Sequence, residues 1–513
     1  MRLRSSAATL PSWVVPRNLA VFWIAVGMVS VLNGQPAPVL TTIRHFAASA
    51  DGLNLNDLTL GIDGYLYGTS YAGGTNWNPA FYTGFGTVFK VDTQGNLIWA
   101  VSFAGTNGGN PNAGLVEADD GSFYGTTCCG GAQSCGTVFK VSASGALTTV
   151  FSFNGTNGYS PGRLLQAKTG QLYGTTAMGG PGCSNLNPAD ALGKGFGTVF
   201  TISTAGLFAN LFNFGGTNGA SPNSPLLDGG DGNVYGTTAL GGVRGDGTAF
   251  QMSPSGSLTP LHSFSGGDDG SSPQGALVRG NDGNLYGVTQ YGGPYENLYN
   301  YGGTVFRLQT NGVLTTLACF DGTNGCGPNR IIQASEGVFY ATTAYGGAFT
   351  NEFGFEPPFI GSPSDSYGTV FKLGADWAVK TVIAFNLTNG VQPSGILQAR
   401  DGSFYGATAW GGTNGFLTVS GPFASGGDGT VFHLTLLPVR PRLEGVALEG
   451  STLQLKWNAE LGNIYRVQFK DGLSEVVWQD LGSDVPATNT TMTASDFIGA
   501  GQQRFYRLLK LSK

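Results

Sequence analysis

The chain reads as an all-β protein. It is expected to form a seven-bladed β-propeller closed by its own N-terminal strand, followed by a small fibronectin-like β-sandwich. Three observations carry that reading. One phrase recurs seven times with single-residue variations: an aromatic-Gly-Thr strand, a Gly-Gly pair, a variable gap, and a Gly-Thr-Val-Phe strand. Its tyrosines are Tyr67, Tyr124, Tyr173, Tyr235, Tyr286, Tyr340 and Tyr405, spaced by 57, 49, 62, 51, 54 and 65 residues. A period of that size with several short strands per unit belongs to propellers or solenoids. Finally, a strand type missing from the last unit stands ahead of the first.

The third unit shows the elements in order. RLLQA (163–167) is a short apolar run suited to a buried strand. A turn at Thr169-Gly170 leads into QLYGTTA (171–177), which is rich in aromatic and β-branched residues. Gly179-Gly180 ends that strand, GTVFTIS (197–203) forms the third, and Ala205-Gly206 turns the chain into LFANLFNF (207–214). Four strands joined by tight turns make one antiparallel blade. The turn before the second strand is Asp-Gly at Asp63, Asp120, Asp231, Asp282 and Asp401. Both residues tolerate positive φ, so these acids read as turn formers rather than catalytic groups.

The seventh unit stops after GTVFHLTL (429–436), while VLTTIRHF (39–46) matches the fourth strands LTTVFSF (147–153) and LTTLACF (314–320). The N-terminal strand is therefore expected to complete the last blade, which removes an open sheet edge. Beyond Leu437 the composition changes. PVRPR (438–442) reads as a linker, and residues 443–513 carry short alternating strands with Trp457, Tyr465 and Trp478 as core candidates. The expected organisation is thus a signal peptide (1–37), the propeller (38–437), a linker (438–442) and a sandwich (443–513).

Residues 1–37 read as an export signal. Arg2, Arg4 and Arg17 precede or flank a 14-residue apolar run from Leu19 to Leu32, with small residues at Gly34 and Ala37. Membrane association is expected only through this segment. Glycine is 85 of 513 residues, and the repeated turns account for the excess. Charged residues are only 11% and net charge is −6, so no basic patch recommends a nucleic-acid partner. A monomer is expected.

The six cysteines fit an exported protein. Cys319 and Cys326 flank the loop FDGTNG, and Cys129 and Cys135 flank another, so both are disulfide candidates. Cys128–Cys183 is an alternative pairing. No Cys-x-x-Cys with a nearby histidine suggests zinc, and no phosphate loop or calcium loop is present, so no metal or cofactor is expected. His45, His262 and His433 read as structural, although His45 and His433 would share one blade. A single Arg-Gly-Asp (Arg244 to Asp246) reads as chance.

The seven LYGTT/GG/GTVFKV units resemble the Gloeo-Verruco tandem repeat of secreted "choice-of-anchor" bacterial proteins. So do the FNGTNG-type loops at Phe103, Phe153, Phe214 and Phe320, with degenerate forms at Phe46, Phe264 and Phe385. The resemblance covers residues 39–436 and implies an exported or surface protein. It brings no established activity, so no site residue is carried over. The layout is also similar to kelch repeats, in which Gly-Gly ends the second strand.

Function is sought on the variable gaps, which hold 11, 4, 16, 4, 9, 20 and 16 residues and all fall on one face. Ligand-binding candidates there are Trp77, Tyr82, Tyr295 and Tyr299, together with Tyr345 and Trp410 just before Gly-Gly. Exposed Tyr and Trp suit carbohydrate stacking or protein contact. Arg163 and Arg330 open the first strands of units three and six, near the channel mouth, where an acidic sugar or other carboxylate could pair, although local salt bridges to neighbouring acids are the favoured reading. The leading expectation is a secreted or cell-surface binding protein for a glycan or surface partner. A polysaccharide lyase or hydrolase would instead draw on Asp190, Glu296, Glu352, Glu356, Asp365 and Asp428. A purely structural surface module is the third reading.

Overall fold

In the computed structural model, the residues described are 38–76, 78, 83–181, 195–294, 302–347, 367–413 and 427–436. In the C-terminal segment they are 443–459, 463–472, 475, 477–489, 491–497 and 504–511. The segment 1–37 and the linker 438–442 lie outside them. The described residues form no helix and are organised in antiparallel sheets. The chain divides into two compact units, one of which is Pro38–Leu437.

Within Pro38–Leu437 the described strands assemble into seven propeller-like sheets, numbered here in chain order. The second is typical: Val116–Glu117, Phe123–Thr127, Thr137–Val141 and Leu147–Ser152, each paired with the next. The seventh takes Val391–Gln398, Phe404–Trp410 and Thr430–Thr435 from its own unit, and Val39–His45 as its outer strand. That pairing sets Val39 opposite Thr435 and His45 opposite Thr430.

The repeated phrase is legible in the packing. The glycine of Tyr-Gly-Thr lies opposite the phenylalanine of Gly-Thr-Val-Phe, as in Gly125↔Phe139 and Gly174↔Phe200. A Cβ at Gly174 would sit 2.4 Å from the Phe200 ring, so the ring as placed leaves no room for a side chain there; in the sixth sheet Ala341 holds the same place opposite Phe371. The hydroxyls of the two central strands also meet, as in Thr127–Thr137 at 2.8 Å and Thr408–Thr430 at 2.8 Å. These pairs satisfy polar groups that are fully buried. The Asp-Gly turns do a second job, because Asp63, Asp120, Asp231 and Asp282 accept from the hydroxyls of Tyr67, Tyr124, Tyr235 and Tyr286 at 2.7–2.8 Å.

Sheet meets sheet through three recurring contacts. The phenylalanine that ends one fourth strand packs edge-on against the Gly-Thr-Val-Phe ring of the next sheet: Phe103–Phe139, Phe153–Phe200, Phe214–Phe250, Phe264–Phe306, Phe320–Phe371 and Phe385–Phe432, at 5.0–5.4 Å. Phe46, which follows the N-terminal strand, meets Phe89 of the first sheet at 4.7 Å. Next, the glycine of Gly-Thr-Val-Phe abuts a proline of the following sheet, as Gly136 does Pro161 and Gly247 does Pro273. At Gly429 the neighbour is Leu55. Lastly, the residue before that proline or leucine is left-handed (φ 53–57° at Asn54, Asn110, Ser160, Ser221, Ser272 and Gln392) and its N–H bonds back to the preceding sheet. Asn54 donates to the Asp428 carbonyl at 3.3 Å in this way.

The C-terminal residues form two small sheets. One orders Leu443–Glu449, Thr452–Asn458 and Thr491–Phe497; the other centres on Ile464–Lys470, flanked by Phe505–Leu511 and two short strands. Trp457, Tyr465, Leu455 and Val467 are buried between strands. Trp478, expected in the core, is only half-buried and is held between Lys470 (5.0 Å) and Arg507 (4.6 Å), whose charges favour its ring face.

Candidate functional site

Two kinds of connection alternate along the sheets. First-to-second and third-to-fourth strand turns are uniformly short, as between Glu117 and Phe123 or Val141 and Leu147. Second-to-third strand connections differ widely, from Thr127–Thr137 and Thr238–Thr248 to Tyr345–Thr369. In an antiparallel sheet these two kinds leave from opposite ends, so the variable ones share an end with the entries to the first strands.

The first strands bring three charged residues together midway along their length, where Arg330 lies opposite Thr342 and Gly395 opposite Ala407. Counting back one place from the buried Leu58, Leu115, Leu164, Leu226, Leu277, Ile331 and Ile396 gives a column: Asp57, Gly114, Arg163, Pro225, Ala276, Arg330 and Gly395. Arg163 of the third sheet and Arg330 of the sixth both form ion pairs with the Asp57 carboxylate of the first. Arg163 also donates to the Leu115 carbonyl at 3.0 Å and to the Thr59 hydroxyl at 3.3 Å. Asp57 accepts from the Gly114 N–H at 2.9 Å. A Cβ at Gly395 would fall 2.9 Å from the Arg330 side chain, so small neighbours make room for the cluster.

The two arginine side chains are 15% and 20% exposed, and burial lowers the pKa of both to about 10. They stay charged at neutral pH. Two cations therefore share one anion in a poorly solvated place, a net charge of +1. Such a site favours a second anion, since pairing relieves the desolvation cost. Arg163 and Arg330, expected at equivalent places in their first strands, both make salt bridges to the acid Asp57, the local pairing that the sequence also offered. Asp57 was missed, although its place in the same column was a readable signal.

The aromatic candidates divide. Trp77, Tyr82, Tyr295 and Tyr299 lie outside the described residues. Trp410 is half-buried and packs on Ala48, Leu53 and Ala72, so its ring serves the contact between the seventh and first sheets. Tyr345 is half-buried beside Gly327. A cavity of about 430 Å³ lies nearby in the chain's first two units, lined by Tyr71, Asn76, Thr83, Phe85 and Asn110 among others.

Of the loop acids, only Asp428 is described. Its carboxylate accepts the Ala48 N–H at 2.8 Å, and its pKa is raised by burial and by the nearby Asp51. Asp51 itself is buried and paired with Arg44 (Nε 3.1 Å). These groups latch the N-terminal segment. His45 and His433 sit on paired strands but four residues apart in register, since His433 faces Thr41. His433 stacks on Tyr405 at 4.6 Å, and His262 bonds Asp269 at 3.0 Å. Both uses are structural.

Neither expected disulfide is formed. Cys319, Cys326, Cys129 and Cys135 are free thiols, as is Cys128; Cys183 lies outside the described residues. Cys319 pairs with Thr304 in the fifth sheet while Cys326 pairs with Tyr345 in the sixth, so the loop between them is closed by its own turn. Cys129 lies against Cys128, and Cys135 turns its thiol to the Gln133 carbonyl at 3.2 Å. Among the described residues no group of three or more ligands could hold a metal ion.

A profile of the Gloeobacter/Verrucomicrobia repeat matches residues 27–185 and 190–354. No curated protein matches the sequence. Among solved structures, a luciferin-regenerating enzyme is 13% identical over 67% of this chain and 97% of its own, with a TM-score of 0.41. A putative gluconolactonase is 10% identical over 78% and 92%, with a TM-score of 0.37. PorZ, a bacterial surface component of the type-IX secretion system of Porphyromonas gingivalis, is 10% identical over 92% and 61%, with a TM-score of 0.45. Likenesses this loose carry no argument about activity.

Proposed function

The chain belongs to the Gloeobacter/Verrucomicrobia repeat family, and from that premise we propose that it is an exported or cell-surface binding protein for a carboxylate-bearing glycan. In this reading residues 1–37 direct export, the seven sheets are the blades of a closed propeller, and residues 443–513 form a fibronectin-like sandwich. The contacts of the seventh sheet with the first support closure: Phe46 on Phe89 and the Asn54 N–H on the Asp428 carbonyl repeat what every other neighbouring pair does, and Leu55 on Gly429 takes the place of the proline.

The observation that carries the ligand class is the sharing of Asp57 by Arg163 and Arg330. A ligand carboxylate would complete the charge balance there and make charge-assisted hydrogen bonds with guanidinium groups already held in place. In this reading the loop aromatics Trp77, Tyr82, Tyr295 and Tyr299, which lie outside the described residues, would stack on the sugar rings. Catalysis gains nothing from this cluster, because Asp57 is engaged by two cations and an N–H and is poorly placed to move a proton.

The test is affinity electrophoresis and calorimetry with uronate-rich and neutral polysaccharides of matched size. Uronate binding is expected, weakened roughly tenfold or more in Arg330→Gln, the order of one charge-assisted contact. Equal binding of neutral and acidic polymers, or an Arg330→Gln variant that binds uronates normally, would remove the ligand assignment. Released reducing ends or unsaturated products would replace binding with catalysis.

A further inference from the structure

Cys128 and Cys129 close the second strand of the second sheet, immediately before Gly130-Gly131. The same two places elsewhere hold Tyr71-Ala72, Ala177-Met178, Ala239-Leu240, Gln290-Tyr291, Ala344-Tyr345 and Ala409-Trp410. Thiols are thus no requirement of the scaffold. Their Sγ atoms lie 3.1 Å apart, about 1 Å beyond a bonded pair. Cys128 is buried and Cys129 half-exposed, so one thiol is reachable from solvent and the other is reachable from its neighbour.

The pair is tied to the cavity of the first two units. Cys129 exchanges backbone hydrogen bonds with Gly109, and the Cys128 N–H donates to the Asn110 carbonyl at 3.1 Å. Asn110 lines the cavity, and its side-chain amide holds the carbonyls of Tyr71 (2.9 Å) and Gly84 (3.1 Å), which line it too. Hydrogen bonding from Cys128 lowers the Cys129 thiol to about 7, whereas the bond to Cys129 and burial push Cys128 up. Cys129 is the better nucleophile at neutral pH.

We propose that Cys128 and Cys129 are a redox-active vicinal dithiol that closes to a disulfide by exchange with an external disulfide, and that closure reshapes the adjoining cavity through Gly109 and Asn110. The Cys129 thiolate attacks one sulfur of the external disulfide, whose S–S bond breaks and releases a thiolate. Cys128 then loses its proton and attacks the Cys129 sulfur of the mixed disulfide, and the second external thiolate leaves. The two thiolates take up the two protons released by the pair. The protein dithiol is oxidised, the external disulfide is reduced to two thiols, and no other reactant is needed.

The experiment incubates the full chain with oxidised and reduced glutathione at graded ratios, blocks free thiols with a maleimide, and maps the peptides by mass. The peptide bearing Cys128 and Cys129 is expected to lose two hydrogens and escape alkylation, while Cys135, Cys319 and Cys326 stay alkylated. In Cys128→Ser the reaction should stop at glutathione bound to Cys129, which shows the order of attack even if the ring form is short-lived. Cross-linking of Cys128 to Cys183 or of Cys129 to Cys135, or full alkylation of both thiols in excess oxidised glutathione, would overturn the proposal. Amide hydrogen exchange at Gly109 and Asn110 should be faster in the oxidised form. Unchanged exchange there would overturn the link to the cavity.

Discussion

Six of the sheets take all their strands from one stretch of chain, whereas the seventh takes its outer strand, Val39–His45, from ahead of the first sheet. The six place a glycine against a proline, as Gly247 against Pro273. The seventh places Gly429 against Leu55 and adds contacts of its own: Asp428 on the Ala48 N–H, Arg44 on Asp51, and Trp410 on Ala48 and Leu53. The difference teaches that the phenylalanine contact and the left-handed N–H bond are what the architecture demands, while proline is replaceable. Where the chain does not join an outer strand to the rest of its own sheet, polar latches hold the segment that follows it.

That comparison can be broken most directly by removing residues 38–46. The Thr430–Thr435 edge would lose its partner and Phe89 its ring contact. Melting temperature should fall by more than about 10 °C, with aggregation visible by size-exclusion chromatography. A cooperative melt at the wild-type temperature would mean that the end-to-end contact contributes nothing.

Phe46→Ala and Phe153→Ala come next. Each empties one ring from a fully buried site, and each should cost about 3–5 kcal/mol in chemical denaturation. Equal costs would make the seventh contact energetically equivalent to the rest; a near-silent Phe46→Ala would set it apart.

Gly247→Ala and Gly429→Ala sharpen the proline question. Both glycines are left-handed, at φ 102° and 110°. At Gly247 the new Cβ meets a carbonyl at 2.3 Å and a rigid proline at 2.7 Å; at Gly429 the carbonyl is at 2.7 Å and the neighbour is a leucine side chain at 3.1 Å, which can turn. A loss of about 2–3 kcal/mol is expected at Gly247 and a smaller one at Gly429.

Asp428→Asn should have the smallest effect and the opposite sign. Burial and Asp51 raise the Asp428 pKa, so its charged form is disfavoured in the folded state. The wild type therefore loses stability relative to the variant as pH rises from the ordinary aspartate range through the raised value. At neutral pH Asp428→Asn should melt slightly higher, and the gap should vanish at acid pH where Asp428 is protonated. A gap that does not change with pH would assign the effect to something other than charge.

Much of this was legible because it repeats. The unit of four strands, the Asp-Gly turns and the match of residues 39–46 to other fourth strands are each stated several times over in the sequence. The proline contact was equally repeated, in Ser160-Pro161, Ser221-Pro222 and Ser272-Pro273, but proline draws the eye as a turn former rather than as a wall for a glycine of the preceding sheet. Asp57 was not legible in the same way. It occurs once, its two partners are 106 and 273 residues away along the chain, and only alignment on the buried Leu58, Leu164 and Ile331 puts the three in one column. Cysteine spacing misled for the opposite reason. Cys319 and Cys326 are close in sequence, yet they belong to different sheets.

The pairing of Val39 with Thr435 also has a consequence in time. A chain that emerges N-terminus first presents the Val39–His45 strand long before its partner exists. Bringing those ends together spans about 400 residues, a loop whose closure alone costs roughly 5 kcal/mol of chain entropy. The first sheets can form as they appear, but the last cannot be finished until nearly the whole repeat has been delivered. For that interval the earliest strand has no partner, and whatever keeps it from pairing with another chain decides the yield of folded protein.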